Sequence, residues 1–341
     1  MNDQTVLVTG ATGFIGRNIC SVLRERGFRV RGTYRTESQQ QLADTDEWVR
    51  IEDVGPDTDW SEALDGVDYV VHLAALAHQV GRSGQNRCEE FMRVNADGTR
   101  ALAHQAVDSG VKRLVFMSSA GAAATLSDRV LDESSPCCPD TDYGRSKLAG
   151  EEAVAQEMRD SAEWCIIRPP LVYGPGNPGN MARLIGLIAK GIPLPTATDR
   201  GKRSFIYVGN LCGAIETCLV HANATRRTFF VTDGPPVSTA GLIRLLSYYA
   251  GRSPRFASIP MPVLSIAASL GDAIGRISGR ELPITSYSLD RLCGSLVLDD
   301  TAIRSATGWV PVFSLEDGIR RTFAPLSEPS KTHPDLAATS A

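Results

Sequence analysis

The stretch Thr5-Val6-Leu7-Val8-Thr9-Gly10-Ala11-Thr12-Gly13-Phe14-Ile15-Gly16 decides the reading of the whole chain. An apolar, β-branched run passes into glycines spaced G-x-x-G-x-x-G, and an amphipathic helical pattern over 15–26 follows at once. A strand that turns directly into a helix needs residues without a Cβ at the bend. The first turn of that helix leaves backbone N–H groups free to meet a pyrophosphate. In this strand–turn–helix context the glycines predict a dinucleotide site built from Gly10, Thr12, Gly13, Phe14, Ile15 and Gly16.

Working outward, the same unit repeats. Strand-like runs at 6–9, 28–33, 48–51, 69–73, 114–118 and 164–167 are nearly continuous in apolar residues, with helical patterns at 15–26, 91–109 and 143–159 between them. Continuous apolar runs mark strands buried on both faces. The pattern therefore predicts an α/β fold, a Rossmann doubly wound parallel sheet with right-handed crossovers. Gly and Pro cluster from Pro169 to Pro195, which is a loop signature. A run at 228–232 returns to the main sheet, and short helices over 235–291 build a smaller C-terminal substrate-binding lobe. The expected division is a dinucleotide-binding domain at 1–170 with 205–233 returning to it, a substrate-binding lobe at 171–204 and 234–325, and a disordered polar tail at 326–341. The most apolar stretch, 260–274, is broken by Asp272 and is shorter than the roughly 20 apolar residues of a bilayer span, so a buried or amphipathic helix is expected there and no membrane insertion.

Ligands of such sheets bind at the carboxyl ends of the strands. The second strand ends Arg31-Gly32-Thr33-Tyr34-Arg35, with no carboxylate for the adenosine ribose hydroxyls. Arg35 either offers a guanidinium to the 2′-phosphate of NADP or is a plain surface arginine. The expected cofactor is NADP(H) or NAD(H), with the preference for NADP(H). Asp53-Val54 after the third strand places a carboxylate for the adenine amino group, and Leu73-Ala74-Ala75 after the fourth makes a small apolar floor. Ser119 closes the fifth strand, and Tyr143-Gly144-Arg145-Ser146-Lys147 sets a phenol and an ammonium on one helix face at i and i+4.

Ser119, Tyr143 and Lys147 are the candidate catalytic set. A tyrosine that acts as a base near neutral pH must be shifted down by roughly three units from about 10, or about 4 kcal/mol. The Lys147 cation and an oxidised nicotinamide supply that shift, whereas a tyrosine that gives its proton to a ketone needs less. Ser119 polarises the carbonyl oxygen.

The 341 residues carry a net charge of −4, with 43% hydrophobic and 22% charged residues. That balance suits a globular protein and gives no general attraction to nucleic acid or an anionic membrane, so an anionic ligand must be held by a local site. No basic and apolar leader precedes the first strand, and a cytoplasmic location is expected. The eight cysteines (Cys20, Cys88, Cys137, Cys138, Cys165, Cys212, Cys218 and Cys293) form no C-x-x-C pair and mostly sit in apolar runs. They read as reduced thiols rather than metal ligands, with the neighbours Cys137 and Cys138 open to a redox-sensitive role. His78 is a pocket residue or a solvated loop histidine, and Asp132-Glu133 reads as a solvated turn.

Gly10 to Gly16, His72-Leu73-Ala74-Ala75, Ser118-Ser119, Tyr143 to Lys147 and Arg168-Pro169-Pro170-Leu171-Val172-Tyr173-Gly174-Pro175 together resemble the extended short-chain dehydrogenase/reductases. More narrowly they resemble the NAD-dependent epimerase/dehydratase family, over roughly 4–322. The resemblance implies a homodimer packed through the helices near 91–109 and 143–159. It places Lys147 on the nicotinamide ribose, Pro170 and Val172 beside the nicotinamide, and a nucleotide-diphosphate sugar, UDP-linked, as substrate. It further implies a diphosphate held by Asn180 at a helix start and by Arg203 before a strand, with Arg291 near a further arginine position. Each arginine is otherwise a surface salt bridge.

Dehydratases of the family carry Asp-Glu after the hydroxyl residue and 4-epimerases carry V-Y-G farther on. Here Ala120-Gly121 and Ala122-Ala123-Ala124 stand in those places, so dehydration is not expected. The segments 168–180, 190–195 and 203–210 resemble bacterial reductases of UDP-4-keto-6-deoxy-N-acetylglucosamine, which make UDP-N-acetylquinovosamine for surface polysaccharides. NAD(P)H-dependent reduction of that 4-keto sugar is the first expectation, and a UDP-sugar 4-epimerase with tightly bound NAD is the alternative. Reductases of other carbonyls follow. A non-catalytic NADP-sensing protein is argued against by the presence of both Tyr143 and Lys147.

Overall fold

In the computed structural model, which describes residues 4–77, 87–159, 161–195, 201–257, 259, 261–278, 289 and 293–323, the glycine turn joins β1 (Thr5–Thr9) to α1 (Phe14–Glu25). Two more parallel strands follow, β2 (Arg29–Tyr34) and β3 (Glu47–Arg50), then the single turn α2 (Ser61–Leu64) and β4 (Tyr69–His72). The crossover expected as one helix over 91–109 is broken into α3 (Arg87–Met92), a π-type turn Arg93–Asp97, and α4 (Gly98–Asp108). Then come β5 (Arg113–Met117), β6 (Val130–Leu131), α5 (Asp142–Glu157), β7 (Glu163–Arg168) and β8 (Leu171–Tyr173). The chain continues through α6 (Asn180–Ala189), β9 (Leu194–Pro195), β10 (Lys202–Arg203), β11 (Phe205–Tyr207), α7 (Val208–Val220) and β12 (Arg227–Phe230). It goes on to β13 (Val237–Ser238), α8 (Thr239–Tyr249), β14 (Phe256–Ala257) and α9 (Met261–Ser278).

Seven strands form one parallel sheet in the order β12-β7-β5-β4-β1-β2-β3. The order reverses between β1 and β4, and a doubly wound sheet binds its ligands in the crevice that opens there. Side chains alternate between the two faces. Val6 and Val8 of β1 and Val115 of β5 join Ile19, Leu23, Leu211 and Ile215 from α1 and α7 in one core layer. Leu7 of β1 and Leu114 and Phe116 of β5 join Leu102, Ala106 and Val154 from α4 and α5 in the other. Burial on both faces is why these strands read as unbroken apolar runs.

Two expectations are corrected. Glu133 is not part of a solvated turn: it is half-buried, and its Oε1 accepts from the Phe230 N–H at 2.8 Å, tying the segment after β6 to the edge strand β12. The apolar stretch is helical from Met261, but of its large side chains only Leu264 is seen to be buried: Val263, Ile266, Leu270 and Ile274 are 54%, 62%, 58% and 51% exposed. No helix among the described residues is long and apolar enough to cross a membrane. His78, Arg291 and the expected tail at 326–341 lie outside the described residues.

Candidate active site

The glycine turn is shaped by contacts that admit no side chain. Gly10 has φ +68°, and a Cβ on it would lie 2.8 Å from the Ala74 amide nitrogen, where β4 leaves the sheet. A Cβ on Gly16 would lie 2.2 Å from the Gly10 carbonyl oxygen. The turn therefore closes on itself and brings bare backbone to the switch point. Phe14, Ile15 and Gly16 head α1, where helical N–H groups have no intrahelical partner. Gly13 and Thr12 flank them on the accessible side.

Behind the turn runs a buried polar chain. The Thr9 hydroxyl pairs with His72 Nδ1 at 2.7 Å, and His72 Nε2 pairs with the Thr99 hydroxyl at 3.0 Å. Thr99 donates its only proton to the Asn95 carbonyl, so it accepts from Nε2–H. That assigns the tautomer: Nδ1 is bare and accepts from Thr9, whose oxygen accepts in turn from the Ala74 N–H at 3.2 Å. Burial and the nearby Lys147 push the His72 pKa down to about 3, so the ring is neutral. His72 thus fastens Leu73-Ala74-Ala75 beneath the glycine turn.

At the far end of the sheet, Asp53 accepts from Arg93 Nη1 at 2.6 Å, and that bond, the largest cause, holds its carboxyl below the usual carboxylate range. Arg93 escaped sequence reading because only the π-type turn brings it over the β3 end. Val54 beside it is buried and packs against Gly98. Arg35 follows β2 directly and is exposed, and its charge reaches Asp53.

Ser119, Tyr143 and Lys147 come together at the ends of β5 and α5. Tyr143 hydrogen-bonds Ser119, whose Oγ also accepts from the Gly121 N–H at 3.1 Å. Burial raises the phenol pKa and the Ser119 bond opposes this, so the ligand-free phenol is neutral. Lys147 is only 2% exposed, with Nζ 4.1 Å from the centre of the Phe116 ring that also stacks on His72. Burial, partly offset by Glu151, pushes its pKa down to about 7. Its ammonium makes no hydrogen bond among the described residues.

Three buried residues outside the expected set hold this group in place. Asn95, on the π-type turn, pairs with both backbone groups of Leu76 (2.7 and 3.0 Å) and donates to Ser146 Oγ at 3.0 Å, linking the β4 exit to α5. Glu151, one turn beyond Lys147, accepts two bonds from Arg168 at 2.8 and 2.5 Å and a third from Ser118. This clamp joins the ends of β5 and β7 to α5. Glu151 continues the i, i+4 series from Tyr143 and Lys147, a signal that was legible. Its partner Arg168 shows only once the sheet is built.

Pro170 is buried next to the loop after Ser119, since the Ala120 N–H donates to the Pro169 carbonyl at 2.9 Å. Val172 lies on β8 and its carbonyl accepts from Asn177 at 2.6 Å. Asn180 is the first residue of α6. Arg203 is half-buried on β10, with Nη1 on the Gly294 carbonyl at 3.3 Å and Nη2 on the Thr125 carbonyl at 3.2 Å. It sits over the segment that follows Ser119.

The site fits a nicotinamide dinucleotide on its own geometry. A cradle that a Cβ would fill and a buried ammonium without a hydrogen bond both ask for a ligand with phosphates and hydroxyls.

The family model "NAD dependent epimerase/dehydratase family" matches residues 6–231. A UDP-glucose 4-epimerase of Vibrio cholerae is 34% identical over 94% of this chain and 94% of its own. An N-acetyl-alpha-D-glucosaminyl-diphospho-ditrans,octacis-undecaprenol 4-epimerase of Escherichia coli O157:H7 is 28% identical over 94% of this chain and 95% of its own. Among solved structures, MoeE5 in complex with UDP-glucuronic acid and NAD is 25% identical with a TM-score of 0.72, over 94% of this chain and 97% of that one.

Proposed function

Because the chain belongs to the NAD-dependent epimerase/dehydratase family, we propose that it transfers a hydride at C4 of a sugar carried on a nucleoside diphosphate. The observation that carries this reading is the grouping of Ser119, Tyr143 and Lys147 beside the glycine cradle. A nicotinamide dinucleotide bound there supplies or takes up the hydride. Tyr143 moves the proton at the C4 oxygen, and Ser119 hydrogen-bonds that oxygen. Lys147 holds ribose hydroxyls with its free ammonium, and Pro170 and Val172 border the nicotinamide. Asn180, Arg203 and Arg291 hold the diphosphate. The lobe formed by 171–204 and 234–325 takes the sugar, and two copies pair through α4 and α5.

For the net reaction we take reduction of a 4-keto sugar, with UDP-4-keto-6-deoxy-N-acetylglucosamine as the substrate and NADP(H) as the preferred cofactor. Two features support it. Arg35 stands where a ribose-binding carboxylate would favour tightly held NAD. A neutral Tyr143 is the form that gives a proton to a ketone. The second reading, a UDP-sugar 4-epimerase, is favoured by the name of the Vibrio cholerae relative, and the Escherichia coli relative is likewise named a 4-epimerase, though of an undecaprenol-diphosphate-linked sugar.

The test is stoichiometric. The enzyme is mixed with UDP-4-keto-6-deoxy-N-acetylglucosamine and a known amount of NADPH or NADH. Consumption of one reduced cofactor per sugar supports the reductase. No consumption, with interconversion of UDP-N-acetylglucosamine and UDP-N-acetylgalactosamine, replaces it with the epimerase. Neither activity overturns both readings.

A further inference from the structure

The apolar face of α9 is turned the wrong way for a helix that serves only the protein's own core. Val263, Ile266, Leu270 and Ile274 recur at spacings of three and four residues and so form one stripe along the helix. All of them are more than half exposed. The covered seam of the same helix holds one large aliphatic side chain, Leu264, with Ala268 and Gly271. A helix docked only on its own domain buries its largest aliphatic side chains and exposes its small ones. Contiguous exposed aliphatics mark a surface that meets something else.

The charge of the segments that lead into α9 identifies the partner. The chain is acidic overall, yet 169–198 and 234–271 contain no Asp or Glu. The same segments carry Arg183, Lys190, Arg244, Arg252 and Arg255, all exposed. Pairing of β9 with β14 brings several of these together just ahead of α9. The Leu194 N–H donates to the Arg255 carbonyl at 3.0 Å, Arg255 Nη1 reaches the Gly191 carbonyl at 3.5 Å, and Arg244 lies 5.5 Å from the centre of the Phe256 ring. Exposed apolar groups sit among the cations: Ile192 is 43% and Tyr248 74% exposed. Aliphatic, aromatic and cationic side chains with a single carboxylate, Asp272 of α9, are the composition that binds an anionic bilayer surface.

We propose that this lobe docks peripherally on an anionic membrane, with the α9 stripe lying in the headgroup region and Arg244, Arg252 and Arg255 on lipid phosphates. The helix lies on the bilayer and does not cross it. The proposal is independent of the reading of the sugar chemistry, and its test needs no substrate.

The full-length protein is floated with phosphatidylcholine vesicles, alone or with about one-third phosphatidylglycerol. Wild type is expected to float with the anionic vesicles, at least tenfold more than with neutral ones, and to be released by salt. The double variant Ile266→Gln, Leu270→Gln is expected to lower the partition coefficient about tenfold or more. Arg252→Glu with Arg255→Glu is expected to remove the preference for anionic lipid. Unchanged thermal melting of each variant separates loss of docking from loss of folding. Equal flotation of wild type and variants overturns the proposal. So does absence of flotation. If the glutamine variant instead dissociates an oligomer in sedimentation, the stripe meets a second copy of the chain and the membrane assignment is wrong.

Discussion

Binding of the dinucleotide should draw a proton from solvent, and Lys147 should be its destination. In the ligand-free protein the ammonium is buried over the Phe116 ring without a hydrogen bond, and its pKa is pushed down to about 7. At pH 8 the side chain is then only about one-tenth protonated. If the ammonium meets ribose hydroxyls of the bound dinucleotide, as proposed, those acceptors would favour its charged form and return the pKa toward its ordinary value of about 10.4. Uptake at pH 8 is therefore about 0.9 proton per site, and affinity falls about 50-fold between pH 7 and pH 9 through this group alone. Titration calorimetry of NADPH in two buffers of different ionisation enthalpy reads the uptake directly, and the same titrations across pH give the affinity. Lys147→Met should abolish both effects. Uptake near zero at pH 8, or an affinity flat from pH 7 to pH 9, would refute the reasoning. The sign for stability follows from the same depression. Between about pH 7 and 10.4 the unfolded chain holds more protons on this lysine than the folded one, so the ligand-free protein gains stability as pH rises through that window. The contribution is at most roughly 5 kcal/mol.

Tyr143→Phe should lower turnover by roughly 10²- to 10⁴-fold, as loss of a proton donor does, while the cofactor dissociation constant stays the same; an unchanged turnover would remove Tyr143 from the reaction. Arg35→Ala should weaken NADPH about 10- to 100-fold, as loss of a charged hydrogen bond to a phosphate does, and leave NADH nearly unaffected; fluorescence titration of both cofactors decides, and equal losses would show a plain surface arginine. Glu151→Leu strands Arg168 as an uncompensated buried charge and should cost about 3–5 kcal/mol in denaturant unfolding, while Glu151→Leu with Arg168→Met should recover most of it. In that stable double variant the proton uptake at Lys147 should shift to lower pH, because Glu151 no longer raises the lysine; an unmoved profile would leave the pair with a packing role alone.

The fold was legible because its signals are local. The glycine turn, the unbroken strands and the i, i+4 pair Tyr143–Lys147 each fit within a few residues, and each lies where its spacing placed it. What stayed hidden depends on long-range placement or on broken periodicity. Asn95 and Arg93 sit in a π-type turn, where one extra residue per turn rotates side chains off the helical pattern, so no 3.6-residue template marks them. Arg168 reads as the end of a strand until parallel pairing of β5 and β7 sets it against Glu151. Glu133 reads as surface because its partner is a backbone N–H almost a hundred residues on. For α9 the composition announced an apolar helix, but composition does not say which face the protein covers. A helix apolar nearly all round leaves that to packing, and packing chose the seam of Leu264, Ala268 and Gly271.

Asn95 and Arg168, with Glu151, share one physical task. Ser119, Tyr143 and Lys147 come from two elements, and the single Tyr143–Ser119 hydrogen bond with the Lys147 contact to Phe116 leaves α5 free to slide and rotate against β5 by more than the few tenths of an ångström that proton transfer would tolerate. The Glu151–Arg168 pair sets it from one side, through Ser118 at the end of β5 and Arg168 at the end of β7. Asn95 sets it from the other, through Leu76 after β4 and Ser146 within the helical turn between Tyr143 and Lys147. A buried ion pair adds little net stability over apolar groups of the same size. Directional bonds from three strand ends to one helix do what apolar packing does not, since they oppose both sliding and rotation of α5. By this reasoning the pair is retained for geometry, and its replacement by leucine and methionine should leave the melting temperature nearly intact while lowering kcat more than it changes KM.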